Sequence, residues 1–350
     1  MSSINFVKLT YYTLVIAMLY VSLCVFFLVL PFFSNVFGIG LPNDYLLKKQ
    51  QELYNKAPMR SIWQGDAKCA APNKYLGYAP KLGECAFENF EFATKNIYTE
   101  KGWLETDLKE GQETIIVVGD SHAMGWGVDT SQTFSGLLSQ NGMNVINLAN
   151  SSWGTEQEIR AVVKSEYFKK SDYIIIQYCD NDAGKNVRND DYIKVEYEHY
   201  LAHSKSDVAP YTLKMRVING SNYLVENFSI GEFFLGPLKP MESAIFGFEY
   251  SEFEYNEFED YTTIQTESHL DFVMKVINGY PELLDKKIII FYSNGWGKKF
   301  TDFDKEVDNV EFVDFGLKRN HYYWIDDHLN ESGHRFISNR LMQILIDKND

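Results

Sequence analysis

The sequence predicts an α/β fold, a three-layer α/β/α sandwich in which helices cover both faces of a five-stranded parallel sheet. Five short runs of β-branched and aromatic residues indicate buried strands, because continuous apolar runs are typical of strands covered on both faces. Helical stretches separate these runs, and such alternation favours parallel strands joined by right-handed crossovers. The 350 residues are 45% hydrophobic and 15% aromatic, which supplies a core and excludes a disordered chain.

The predicted elements begin at Thr114 and continue to the end of the chain. The strands are expected at 115–118, 144–149, 172–178, 287–292 and 310–315, and the helices at about 131–140, 156–170, 265–280 and 331–347. The interval 185–262 is too long for an ordinary connection, so we expect an insertion after the third strand that serves as a lid or substrate-binding excursion. Its segment 248–261 alternates Glu with Phe and Tyr, which suits a platform for sugar rings or an edge hairpin with one solvated acidic face.

An apolar segment near the N-terminus is long enough to cross a bilayer. No residue from Leu9 to Asn43 is charged, and 11–33 is almost entirely apolar. This segment exceeds the apolar region of a signal peptide and ends in Pro-Phe-Phe, so we expect a retained single-span anchor, with a cleaved signal peptide as the alternative. Lys8 precedes the span and predicts export of the chain beyond Asn43, to the periplasmic or extracellular side.

The predicted organisation has three parts. Residues 1–43 form the N-terminal tail and transmembrane anchor, 44–112 form a stalk and an extension that packs on the main domain, and 113–350 form that domain. Cys69 and Cys85 lie in the extension without a CxxC motif or a nearby His pair, which argues against zinc. Export favours a disulfide between them over two buried free thiols.

The charge of the chain limits its partners. With 33 basic and 48 acidic residues the formal net charge is −15, and no segment is dense in Lys or Arg. Such a chain repels phosphate backbones, so nucleic acid is excluded as an expected partner.

The first predicted strand ends in a segment that presents a candidate nucleophile. Its sequence is Gly-Asp-Ser-His-Ala, and Ser121 stands where open α/β sheets bind their ligands, beyond the carboxyl end of the strand. A serine hydroxyl is a weak nucleophile unless a base takes its proton, and that base needs an orienting carboxylate. Trp-Ile-Asp-Asp-His near the chain end supplies His328 with Asp326, chosen over its neighbour Asp327 because a residue adjacent to the histidine more easily points away.

His334 also lies near the chain end, at the start of the last helix. We expect a structural role for this histidine.

Serine chemistry on a carbonyl also needs an oxyanion hole, which is a set of donors fixed where negative charge develops. After the second strand a loop of small residues enters a helix, where backbone N–H groups lack partners. After the third strand Asn181 offers a side-chain amide. Each segment alone is explained as a helix cap or a turn, but together at the ends of successive strands they indicate a site.

These blocks, in this order, resemble the SGNH/GDSL hydrolase superfamily. The resemblance covers about 114–182 and 286–348 and implies a flavodoxin-like sheet with strand order 2-1-3-4-5. It implies Ser121 as nucleophile, His328 as base and Asp326 as the acid of a triad. The oxyanion donors that it implies are the Ser121 N–H, an N–H of the second block and the Asn181 side chain.

The chain departs from the family pattern at three positions. Cys179 replaces the usual Gly of the third block, and the last block has Asp-x-His where the family has Asp-x-x-His. In the second block one alignment puts Ser152 where Gly is expected and leaves Gly154 as the alternative, so the identity of that donor is open.

The segments around the serine and Cys85 are similar to exported single-span members found among surface-polysaccharide proteins. The sequence therefore predicts a serine esterase that removes acetyl or another small acyl group from a carbohydrate and needs no metal or organic cofactor. One alternative is an O-acyltransferase with the same triad, working with a multi-span membrane partner that supplies the acyl group. A second alternative is an inactive module that binds carbohydrate through its aromatic insertion. A long-chain lipase is less favoured, because no acyl-chain groove is evident outside the span.

Overall fold

The structure is a computed structural model. It describes residues 2–37, 66–89, 91–103, 108–179, 189–203, 266–293, 305–326 and 328–347, with positions 39, 41, 46–47, 50–51, 54, 182 and 217. The chain divides into two compact units. The N-terminal unit comprises Met1–Arg60, Tyr211–Glu252 and Trp324–Asp326, and the sheet unit comprises Ser61–Pro210, Phe253–Tyr323 and Asp327–Asp350.

The N-terminal unit contains one long helix, α1 (Ser2–Phe37). Within it Lys8–Ser34 is long and apolar enough to span a membrane. Large apolar side chains such as Leu14, Met18 and Phe26 are exposed, as they would be on a helix surrounded by lipid. Most of the predicted stalk at 44–64 lies outside the described residues.

In the described part of the sheet unit the main sheet has six strands, five of which are parallel. The strands are β5 (Thr114–Val118), β6 (Asn144–Asn147), β7 (Tyr173–Tyr178), β8 (Lys287–Tyr292), β9 (Lys305–Val307) and β10 (Val310–Val313). Their order across the sheet is β6, β5, β7, β8, β10 and β9, and β9 is antiparallel to β10. The expectation of five strands was wrong in number, because the three-residue edge strand β9 has too few apolar positions to be recognised.

Helices cover both faces of this sheet. Among the described residues of the sheet unit, the longer helical stretches and the short helix after β5 are α2 (Ser121–Met124), α3 (Phe134–Gln140), α4 (Thr155–Lys164), α5 (Asn189–His203), α6 (Thr266–Asn278) and α7 (Glu331–Asp347). Ile115 and Val117 of β5 belong to one buried cluster with α3 and α7. Ile116 and Val118 belong to a second cluster with α4 and α6, so successive β5 side chains face opposite layers.

The part of the chain before the sheet forms two β-hairpins, which the sequence analysis did not predict. They consist of β1 (Ala70–Asn73) with β2 (Gly77–Pro80), and β3 (Gly83–Glu88) with β4 (Ala93–Tyr98). The predicted disulfide joins Cys69 to Cys85, with their Cα atoms 5.2 Å apart. A closed loop of this size constrains the unfolded chain by about 3 kcal/mol.

The hairpin region is bonded to the loop that follows β6. The indole Nε1 of Trp103 donates to the Ala149 carbonyl at 2.7 Å, and the Tyr78 hydroxyl donates to the Ser151 carbonyl. In return, Nε1 of Trp153 donates to the Tyr78 carbonyl at 3.2 Å. These bonds fix the conformation of a loop that the sequence predicts to be part of the active site.

Of the predicted insertion at 185–262, the structure describes α5 and Val217. Tyr200 of α5 packs on Tyr78 with ring centroids 4.3 Å apart, and Glu196 accepts from Nε2 of Gln157 at 2.9 Å. The acidic aromatic segment 248–261 lies outside the described residues.

Candidate active site

The turn after β5 requires glycine at its first position. Gly119 has φ +149°, and a Cβ there would approach the Ala123 Cβ and the Gln177 Oε1 to 2.7 Å. Any side chain would collide with the sheet or with α2. The turn therefore needs glycine for both space and backbone conformation.

Asp120 fixes the start of α2. It is fully buried, its Oδ1 accepts from the His122 N–H at 2.9 Å, and its own N–H donates to the Gln177 Oε1 at 3.1 Å. Ser121 is the first residue of the helix, where no carbonyl of the preceding turn is available to its N–H. Its side chain is 8% exposed, so the hydroxyl is shielded from bulk solvent.

The segment before α7 holds His328 by its backbone. The Tyr323 N–H donates to the His328 carbonyl at 2.8 Å, and Tyr322 forms an isolated antiparallel bridge with Leu329. Asn330 then caps α7, because its Oδ1 accepts from the Gly333 N–H at 3.0 Å. These contacts fix the position from which the imidazole extends.

Ser121 and His328 meet within the sheet unit. Nε2 of His328 lies 2.8 Å from Oγ of Ser121, a hydrogen-bond distance. A histidine in this position can take the hydroxyl proton as the oxygen attacks a carbonyl carbon. The structure thus brings together the two residues that the sequence predicted to be nucleophile and base.

Two further rings pack against the imidazole of His328. The His122 ring is stacked on it with centroids 4.8 Å apart, and the Trp126 ring is stacked at 5.2 Å. Both rings come from the turn that begins at Ser121, so one short segment carries the hydroxyl and also limits the rotation of its base. No local pattern in the sequence predicts this stacking, although both residues lie close to Ser121 in the chain.

Asp326 belongs to the N-terminal unit and is 5% exposed. Its Oδ2 accepts a hydrogen bond from the hydroxyl of Tyr54, which belongs to the same unit. The alternative acid, Asp327, lies outside the described residues. The choice between the two carboxylates stays a prediction.

Gly154, one of the two candidate oxyanion donors after β6, already donates a hydrogen bond. The Gly154 N–H donates to the Gln157 Oε1 at 3.0 Å, which closes the first turn of α4 and argues against this amide as an oxyanion donor. Ser152, the alternative, has φ +61°, the left-handed conformation that glycine adopts most easily. The local backbone therefore has the conformation of the Gly expected at position 152, and the choice between Ser152 and Gly154 as donor stays a prediction. Asn181 lies outside the described residues.

Asn150 is a buried polar group that the sequence analysis did not single out. Its side chain is fully buried, and neither its Nδ2 nor its Oδ1 has a hydrogen-bond partner within the described part of the chain. Its backbone N–H donates to the Gly119 carbonyl at 3.0 Å, which ties this residue to the nucleophile turn. An amide left unbonded in a protein interior costs about 1–3 kcal/mol.

His334 is fully buried and does not belong to the Ser121 pair. Its Nδ1 accepts from the Phe134 N–H at 3.2 Å, so the ring joins α7 to α3. Burial, together with repulsion from His122 and His328, lowers the pKa of His334 to about 3. This histidine is therefore neutral at physiological pH and serves the packing of the helices.

Among the described residues, no group of three or more His, Cys, Asp or Glu side chains is arranged to hold a metal ion. Cys179, the residue after β7, is buried.

Comparisons with known proteins give little further information. No protein-family profile matches the chain, and no curated protein matches it. A solved structure described as "a putative platelet activating factor from Streptococcus pneumonia" matches over 68% of this chain and 86% of its own length, with 12% identity and a TM-score of 0.28. A likeness at this TM-score carries no argument about function.

Proposed function

We propose that this chain is a serine esterase that removes acetyl or other small acyl groups from a carbohydrate. The observation that carries the proposal is the 2.8 Å separation between Oγ of Ser121 and Nε2 of His328. The turn and the mixed α/β sheet around this pair also support membership of the SGNH/GDSL superfamily with a flavodoxin-like sheet. The anchor helix and the predicted export support a reaction outside the cytoplasmic membrane.

The mechanism proceeds through an acyl-enzyme. His328 takes the proton of Ser121 as Oγ bonds to the ester carbonyl carbon, and the tetrahedral oxyanion accepts hydrogen bonds from the Ser121 N–H and the Ser152 N–H. His328 then gives the proton to the sugar oxygen, which leaves as an alcohol. Water, deprotonated by His328, attacks the acyl-enzyme and releases the carboxylic acid and free Ser121.

Two other residues complete this mechanism as proposals from the sequence. Asp326 precedes His328 by two positions and would accept from its Nδ1, which holds the reactive tautomer and stabilises the imidazolium. Asn181 would donate from its side-chain amide as a third oxyanion ligand. The residues with proposed chemical roles are thus Ser121, His328, Asp326, Ser152 and Asn181.

The proposed activity is tested with the full chain in detergent. We expect wild-type protein to release acetate from p-nitrophenyl acetate and from acetylated polysaccharide, and to act poorly on long-chain esters. Ser121→Ala removes the attacking oxygen and is expected to abolish release. No release by the folded wild-type protein would contradict the proposal and favour a carbohydrate-binding module.

The same variant distinguishes hydrolysis from acyl transfer in the cell. Mass spectrometry of the native surface polysaccharide would compare cells that carry wild-type protein with cells that carry Ser121→Ala. An esterase predicts more acetyl in the variant, because removal has stopped. Less acetyl would contradict hydrolysis and indicate an O-acyltransferase that uses a separate acyl supply.

A further inference from the structure

A groove of about 440 Å³ lies on the sheet unit between the β1–β2 hairpin, the end of β4 and α4. Its walls combine aromatic rings with charged side chains. Tyr75 comes from the hairpin turn, Tyr98 from β4, and Arg160 and Lys164 from α4. This volume lies within the range of small-molecule sites.

The aromatic side chains of the groove are suited to sugar rings. Tyr75 is 62% exposed, and Nζ of Lys164 lies 3.1 Å from its ring centroid, which holds the ring in place while leaving much of its surface open. Tyr98 is half-buried, and Trp153 is 2% exposed. Aromatic rings bind ligands that combine C–H faces with hydroxyl groups, because such rings offer apolar area beside polar atoms.

The charges that line the groove balance one another. Arg160 and Lys164 are opposed by Glu100 and Glu166, and Arg160 is already paired with Glu156 at 2.8 Å. The whole chain carries a net charge of −15, which opposes the approach of a polyanion. Charged walls also disfavour an acyl chain, because its burial would desolvate them. A neutral, hydroxyl-rich ligand avoids both the repulsion of a polyanion and the desolvation of the charged walls.

The groove and the candidate active site share one loop. Leu148 and Trp153 line the groove, and between them in the sequence lie Asn150, whose N–H donates to the Gly119 carbonyl, and the candidate donor Ser152. The hydrogen bonds from Trp103 and Tyr78 hold this loop in a single conformation. A ligand in the groove would therefore contact the segment that also carries the Ser152 N–H.

We propose that this groove binds neutral sugar residues of the polysaccharide substrate, at a subsite separate from the reacting ester. That the ligand is a polysaccharide rests on the proposed function, whereas the neutrality of its sugar residues is inferred from the balanced charges that line the groove. The subsite would increase affinity for the polymer without changing the chemistry at Ser121. Small aryl esters, which are too short to reach it, would be hydrolysed independently of the groove.

The test uses full-length Ser121→Ala protein in detergent, so that the ligand is not consumed. Surface polysaccharide from the producing cell is fragmented by sonication and separated into neutral and acidic oligosaccharides, and binding is measured by titration calorimetry. We expect saturable binding of the neutral fraction. Adding Tyr75→Ala should weaken binding about tenfold, the loss expected for one aromatic contact.

Two matched variants control this measurement. Tyr75→Phe retains the ring and is expected to bind within about twofold of the parent, since the contact depends on the ring face. Leu82→Ala removes a side chain that is 63% exposed in the same hairpin region and does not line the groove, so it is expected to leave binding unchanged.

Three results would overturn the subsite: no binding of the neutral fraction, preferential binding of the acidic fraction, or equal affinity of Tyr75→Ala and its parent. Hydrolysis of p-nitrophenyl acetate by Tyr75→Ala in the Ser121 background is measured separately. Loss of wild-type hydrolysis with intact oligosaccharide binding would defeat the esterase proposal and leave the subsite standing. Intact hydrolysis without oligosaccharide binding would defeat the subsite proposal and leave the esterase proposal standing.

Discussion

His328 and Ser121 are 207 positions apart in the chain, yet Nε2 of the imidazole lies 2.8 Å from Oγ of the serine. The turn after β5 and the capped segment before α7 create this distance, because each fixes one partner by backbone hydrogen bonds. A pair held this rigidly incurs little loss of conformational entropy when the reaction begins.

Trp126 is expected to act as a positioning residue for His328. Trp126→Leu removes the stacked ring and lets the imidazole rotate, so kcat for p-nitrophenyl acetate should fall about tenfold while KM stays the same. Trp126→Phe retains an aromatic face and should keep most of the activity. Thermal unfolding of both variants controls for lost packing against Phe87, whose ring centroid is 4.9 Å away. If KM rose as kcat fell, the loss of activity would reflect general damage to the site and not the positioning of His328.

Asp326 is expected to orient the imidazole. Asp326→Asn keeps the shape of the side chain but removes its charge, and kcat should fall by about 10³–10⁴-fold, the scale seen when a triad acid is replaced. Asp285→Asn changes an exposed carboxylate and serves as the matched control. Activity of Asp326→Asn close to that of Asp285→Asn would exclude Asp326 and favour Asp327.

Ser152 adopts a conformation that costs free energy for any residue with a Cβ. Ser152→Gly should raise the free energy of unfolding by about 0.5 kcal/mol, because glycine adopts positive φ without strain. Activity should be preserved, since the backbone N–H remains. Urea denaturation and esterase assays measure the two effects. A large loss of activity would mean that the serine hydroxyl itself takes part.

Stability should depend on pH through His334. Its pKa in the folded protein is lowered to about 3 from 6.5, so between these values the unfolded chain binds more protons than the folded one. The free energy of unfolding therefore falls as pH drops below about 6.5, by up to about 1.4 kcal/mol per pH unit, and is independent of this group above it.

His334→Asn tests this dependence, because asparagine can still accept from the Phe134 N–H but does not titrate in this range. Urea unfolding at pH 4.5 and 7.5 should show a smaller difference for the variant than for the wild-type protein. Equal differences would show that His334 does not cause the acid sensitivity.

The sequence predicted those parts of the fold and site that depend on local patterns. Ser121 and His328 were found because short motifs place them after strands, and the five parallel strands have apolar runs of their own. The first hairpin before the sheet was missed because β1 and β2 are four residues long and rich in turn formers. The second was missed because β3 and β4, although six residues long, are mostly small or polar. Strand β9 was missed because it is only three residues long.

Residues whose roles depend on distant contacts were less accessible to sequence analysis. Tyr54 bonds to Asp326 across 272 positions, and no local pattern connects them. The stacking of His122 and Trp126 on His328 also exists only after the chain ends meet. The hydrogen bond from the Gly154 N–H to the Gln157 side chain also depends on side-chain geometry, which the sequence does not reveal.

The proposed reaction requires that His328 activate the hydroxyl of Ser121 for attack. The most direct measurement is reaction of the folded full-length protein with a fluorophosphonate, followed by mass spectrometry of its peptides. We expect one stoichiometric adduct on Ser121, absent in Ser121→Ala and strongly slowed in His328→Asn. An unlabelled wild-type protein, or an adduct that persists in Ser121→Ala, would contradict the account.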